Sequence, residues 1–114
     1  MDSQTTVADL RAIVHQFVSE RDWQPFHNPK NLSTSIAIEA AELMEIFQWL
    51  TSEQSLTAGH EPGIRQHTRE ELADIVIYCL ALANAMDVDL SRAIEEKMVA
   101  NAVKYPIETF RGRL

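Results

Sequence analysis

Four acidic residues recur in two pairs of identical spacing: Glu39 with Glu42, and Glu71 with Asp74. The first pair sits in "EAAELMEIFQWL" (39–50) and the second in "EELADIVIYCLALA" (70–83), both dominated by apolar residues. A helix turns about 100° per residue, so Leu43, Ile46 and Leu50 fall within about 40° of Glu39. Ile75, Tyr78 and Leu82 fall equally close to Glu71. Glu42 and Asp74 each lie about 60° to one side of their partners. Two helices therefore carry acids on the faces that should meet one another. Four facing carboxylates would repel and would be costly to desolvate. Protonation or bound cations must relieve them, and the economical cations are hard divalent ones with oxygen ligands, Mg²⁺ or Mn²⁺. A lone E-x-x-E is commonly a solvated face, and an acid near a helix start is welcome for dipole reasons. Two pairs embedded in apolar stripes are harder to explain that way. Glu45, a further step round the wheel, is an outer ligand or a surface acid.

Other residues narrow the chemistry. Di-iron carboxylate bundles use Glu-x-x-His. The residues three positions before His15, His27, His60 and His67 are Ala, Gln, Thr and Ile, so no Glu-x-x-His exists and such a site is not expected. Lys97, Asn101 and Lys104 form a stripe at i, i+4, i+7, supplying two cations and an amide donor of the kind that holds a polyphosphate. Read alone, the stripe is equally a basic solvated face near a helix C-terminus. Trp23, Phe26 and His27 cluster in one connector, with Phe47, Trp49 and Tyr78 near the acids. Such rings fill cores or stack a nucleobase. Lacking a second histidine beside it, His27 is expected to contact substrate rather than a metal.

The elements that must position these residues are all helical. The spacing predicts a first helix over Val7–Glu20, capped by Thr6, with Leu10, Ile13, Val14, Phe17 and Val18 on one stripe. A connector (21–31) with two prolines precedes a second helix over Leu32–Thr51, capped by Asn31 or Ser33. The polar stretch 52–66 reads as a mobile loop, a lid or an oligomer contact. A third helix is expected over Ile64–Met86. A fourth, over Leu90–Tyr105, is capped by Asp89 and stopped by Pro106. The tail 107–114 is expected to be loosely held. The expectation is one all-α, four-helix bundle-like domain over residues 1–114.

Bulk properties bound the function. The net charge of −7 opposes sequence-independent nucleic-acid binding, which needs a basic footprint. An anionic small substrate remains open, because a bound cation inverts the local charge. The single cysteine, Cys79, gives no intrachain disulfide or Cys-based zinc site. "MDSQTTVADL" does not read as a signal peptide, and "IVIYCLALANAM" (75–86) is too short to span a bilayer. A cytoplasmic protein without membrane or nucleic-acid partners is expected. Apolar residues on all sides of the second and third helices argue against a monomer.

With these residues in view, the chain resembles the MazG-like nucleoside triphosphate pyrophosphohydrolases of the all-α type, close to the dCTP pyrophosphatase branch. The resemblance rests on "ERDWQPFHNPKNL" (20–32), "EAAELMEIFQWLT" (39–51), "EELADIVIYCLALA" (70–83) and "KMVANAVKYPIE" (97–108), in the family's order. It implies Mg²⁺-dependent cleavage of a (deoxy)nucleoside triphosphate to the monophosphate and pyrophosphate, clearing unwanted nucleotides. It puts the family's metal-binding E-x-x-E on Glu39 and Glu42, and its E-x-x-D on Glu71 and Asp74. Lys97, Asn101 and Lys104 match the phosphate-holding segment, which Tyr105 closes. Trp23, Trp49 and Tyr78 match the positions that enclose base and sugar. Homodimers or homotetramers, with the pocket completed by a neighbouring subunit, are implied as well. The chain departs from the family at Val14, where pyrimidine-preferring relatives can carry a histidine; here the histidine is His15, about 100° further round.

The expected mechanism has the four acids holding one or two Mg²⁺, with Glu39 as general base because of its apolar setting. Lys97 and Lys104 would stabilise the leaving pyrophosphate. The alternative is a non-catalytic nucleotide- or cation-binding helical module with a regulatory role.

Overall fold

The computed structural model describes all residues, 1–114, and every regular element is helical, with no strand. Helix α1 spans Val7–Glu20. Thr6 caps it: the Asp9 N–H donates to the Thr6 hydroxyl, and the Thr6 N–H donates to the Asp9 carboxylate at 2.8 Å. Those Thr6 hydrogen bonds hold the Asp9 carboxyl below its usual range. After a short 3-10 turn, Gln24–Phe26, helix α2 spans Pro29–Phe47.

This start lies three residues earlier than the hydrophobic spacing indicates, and the cap is Asn28. Its side-chain oxygen accepts from the Asn31 N–H at 3.0 Å. Pro29 fits directly after the cap, because that position needs no N–H donor and favours the φ that proline fixes. The helix also ends four residues earlier than expected, at Phe47.

The expected loop over 52–66 contains helix α3, Ser52–Ala58, and the start of helix α4, Pro62–Met86. Thr51 and Gln54 form a reciprocal capping box at the head of α3. Glu61 caps α4, accepting from the Gly63 and Ile64 N–H groups. Helix α5 spans Leu90–Lys104 behind Asp89, close to expectation. The tail carries one further turn, α6 (Ile107–Phe110), where the Phe110 ring meets Tyr105 edge-on at 5.2 Å.

Within one chain the packed unit is three helices rather than four. Helix α4 packs along α2 and more briefly against α1. Val14, Leu32, Leu80 and Ala81 form the core, and Leu32 alone is fully sealed. Arg11 ties α1 to the end of α4 by donating to the carbonyls of Ala83 and Val88 and to the Asn84 side chain. The Asn84 amide donates back to the Arg11 carbonyl. A guanidinium at the C-terminal end of α4 complements the helix dipole.

Helix α5 buries no residue and makes only sparse contact with the other helices. The radius of gyration is 17.1 Å, against about 13 Å for a compact domain of this length. No helix is long and apolar enough to cross a membrane.

Candidate active site: an acid cluster beside an aromatic cavity

The packing of α2 along α4 fixes the acids. Carboxylate oxygens of Glu39, Glu42 and Glu71 all lie within 4.8 Å of one another. The Glu71 side chain is only 12 % exposed. Its position, deep within α4 and well past Pro62, removes the helix-start explanation for this acid. Glu39 Oε2 and Glu71 Oε2 are both sealed from solvent with no hydrogen-bond partner. Buried polar atoms are normally paired, so a retained proton or a bound cation is what would satisfy two orphaned carboxylate oxygens in one cluster.

The electrostatics agree. Burial, followed by the neighbouring carboxylates of Glu42, Glu71 and Asp74, pushes the Glu39 carboxyl up from 4.5 to about 7. The cluster alone therefore retains a proton near neutrality. A divalent cation with oxygen ligands would supply the missing partner, and this donor set suits Mg²⁺ or Mn²⁺.

Asp74 connects the acids to the aromatics. It acts on Glu39 through its charge and lines a cavity of about 310 Å³ with Trp23, His27, Tyr78, Phe17 and Ile77 among others. The rings form a connected series. Phe17 meets Trp23 edge-on at 5.8 Å, Trp23 stacks on His27 at 6.2 Å, and His27 approaches Tyr78 at 6.4 Å. The His27 Nδ1 atom is buried and unpartnered.

A second cavity, of about 330 Å³, shares Val14, Val18 and His27 with the first. Val14 is buried at this boundary, whereas exposed His15 lines only the second cavity and approaches the Ser19 hydroxyl at 3.4 Å.

Not every candidate gathers here within one chain. Trp49, in the turn after α2, is 87 % exposed and lines neither cavity. Lys97, Asn101 and Lys104 also lie outside both cavities, on the sparsely packed α5. Lys104 Nζ sits 5.2 Å from the ring centre of Tyr105. Glu45 is exposed and stands apart from the three-carboxylate cluster, lining an outer cleft.

Residues with no evident sequence signal complete the surroundings. Arg11 and Asn84, 73 positions apart, hold α1 and its side of the aromatic cavity against α4. His67, one turn before Glu71, lies 3.3 Å from that acid.

The chain is 41 % identical over 110 residues to dCTP pyrophosphatase 1 of Bos taurus, and 40 % identical over 109 residues to that of Homo sapiens. Each alignment covers 96 % of this chain, but this chain spans only 65 % and 64 % of those relatives' lengths. The crystal structure of a pyrophosphatase from Archaeoglobus fulgidus superposes with a TM-score of 0.81 at 38 % identity. That match covers 87 % of this chain and 91 % of the other. The MazG-like family model matches residues 34–113, a span that contains all four acids and the α5 stripe. The chain belongs to the MazG-like family.

Proposed function

We propose that the protein hydrolyses a (deoxy)nucleoside triphosphate, dCTP or a related pyrimidine nucleotide, to the monophosphate and pyrophosphate with Mg²⁺. The observation that carries this reading is the pair of sealed, unpartnered oxygens on Glu39 and Glu71, beside a ring-lined cavity that shares Asp74 with the cluster. Relatives of about 40 % identity named dCTP pyrophosphatase 1 support the substrate class.

Glu39, Glu42, Glu71 and Asp74 hold the cation. When bound, Mg²⁺ supplies the positive charge that offsets these acids and the substrate's phosphate oxygens. Glu39 takes the proton from the attacking water; its carboxyl is the one whose proton affinity the surroundings raise toward neutrality. Trp23 and Tyr78 flank the base, and His27 lines the same cavity between them.

Lys97, Asn101 and Lys104 stabilise the departing pyrophosphate. Because α5 packs sparsely on its own chain, a neighbouring copy completes the pocket in a homodimer or homotetramer. The exposure of Ile94 (58 %), Met98 (60 %) and Val103 (79 %) on α5 supports such an assembly. Trp49 joins the base and sugar contacts in the same assembled state.

The test is product analysis for a panel of nucleoside triphosphates with and without Mg²⁺. The expected outcome is monophosphate plus pyrophosphate, only with the cation, and fastest for a pyrimidine nucleotide. Binding without release of pyrophosphate from any nucleotide would favour the regulatory-module reading instead.

A further inference from the structure

Helix α1 ends in a turn that folds Trp23 back beside Phe17. Asp22, at φ 52°, takes the left-handed conformation in which such helix ends usually carry glycine. The Asp22 N–H donates to the Ser19 carbonyl at 3.1 Å, and the Trp23 N–H donates to the Val18 carbonyl at 3.0 Å. These are the two bonds of a Schellman end, and they return the chain over the last turn of the helix. Phe17 and Trp23 then meet edge-on at 5.8 Å and line the same cavity.

Burial alone holds this wall weakly, since Phe17 is 48 % exposed and Trp23 42 %. Exposed side chains change rotamer within nanoseconds unless a neighbour restrains them. Arg21 is such a neighbour. Its guanidinium carbon lies 3.6 Å from the centre of the Phe17 ring, and its Nη1–H donates to the Phe17 carbonyl at 3.0 Å. One side chain thus covers the ring and is anchored to the backbone of the same residue. Its contact with Glu20, at 3.8 Å, is an exposed ion pair of the kind that contributes little. Arg21 itself does not line the cavity.

We propose that Arg21 is a positioning residue for the aromatic wall: stacked on Phe17, it holds that ring against Trp23 and so fixes the surface on which a nucleobase stacks. The proposal rests on the reading of this cavity as a nucleotide site. It adds a residue that belongs to neither the acid cluster nor the α5 stripe.

Two measurements test it. Steady-state kinetics with dCTP and Mg²⁺ compares the wild type, Arg21→Ala, Phe17→Ala and the double variant. Arg21→Ala should raise KM about fivefold, the upper end for an exposed cation–π contact, with kcat near wild type. Added to Phe17→Ala, the same change should have no further effect, because Arg21 acts through that ring. An unchanged KM in Arg21→Ala would overturn the proposal, as would additive effects of the two substitutions. The second measurement needs no nucleotide. Trp49→Phe leaves Trp23 as the sole tryptophan. Its quenching by acrylamide should rise when Arg21→Ala is added, while circular dichroism keeps its helical signal. Unchanged quenching would also overturn the proposal, leaving Arg21 and Phe17 as a surface i, i+4 pair that serves the helix alone. A wild type that turns over no nucleotide, but whose Trp23 is opened to acrylamide by Arg21→Ala, would remove the nucleotide reading and keep the bracing of the wall.

Discussion

The acidic face between α2 and α4 and the basic stripe on α5 differ in how far one chain can build them. The acids stand on two helices packed along each other, with two oxygens sealed from water. The cations stand on a helix that buries nothing. A cluster of like charges needs rigid walls, because each carboxylate would otherwise move away from its neighbours. Lysines serving a polyphosphate need reach rather than burial, and an exposed helix can deliver them to another copy. On the proposed function, the contrast separates a cation site preformed in one chain from a phosphate-binding strip completed by assembly.

The largest effect should come from breaking the preformed half. Glu42→Ala or Glu71→Ala is expected to lower turnover by about three orders of magnitude, while circular dichroism keeps its helical signal. Changes on α5 should cost less: Lys97→Ala or Lys104→Ala is expected to reduce kcat/KM by roughly 10- to 100-fold, with cation binding intact. Mixing an acid-cluster variant with a Lys97→Ala/Lys104→Ala variant sharpens the comparison. If α5 serves a neighbour, mixed oligomers should regain activity that neither variant has alone; no recovery would place the two halves in one chain.

Trp23→Ala should act on binding, raising KM about tenfold with a smaller change in kcat, as the loss of one stacked ring predicts.

The smallest effect concerns pH and stability without metal. The Glu39 carboxyl is raised in the folded chain, from 4.5 to about 7. Its contribution is therefore fully present below about pH 4.5 and is lost as pH rises through about 7. In chelator, the part of the melting-temperature profile due to Glu39 should fall between those values, and Glu39→Gln should flatten it. Added Mg²⁺ should oppose the fall, because the cation favours the deprotonated cluster.

The spacing made the proximity of Glu39, Glu42 and Glu71 legible, whereas Asp74, expected with them, lies outside that three-carboxylate group. The E-x-x-E and E-x-x-D spacings sit inside strong 3.6-residue apolar patterns, so the wheel alone brings Glu39 and Glu71 to facing surfaces. The spacing carried element boundaries less well where capping chemistry outweighs hydrophobic period. Asn28 with Pro29, and Thr51 with Gln54, are legible cap signals in segments read as connector and loop. The Arg11–Asn84 tie has no local signature, since its partners meet only after α1 folds onto α4. The looseness of α5 was also hidden. Its composition allows a bundle helix, but the surfaces that would cover Ile94, Met98 and Val103 do not come from its own chain.

The most direct test of the central claim is pyrophosphate release across a Mg²⁺ titration by the wild type, Glu39→Ala and Asp74→Ala. The account predicts Mg²⁺-dependent release by the wild type and a loss of several orders of magnitude in each folded variant. Normal Mg²⁺-dependent turnover in both variants would contradict it.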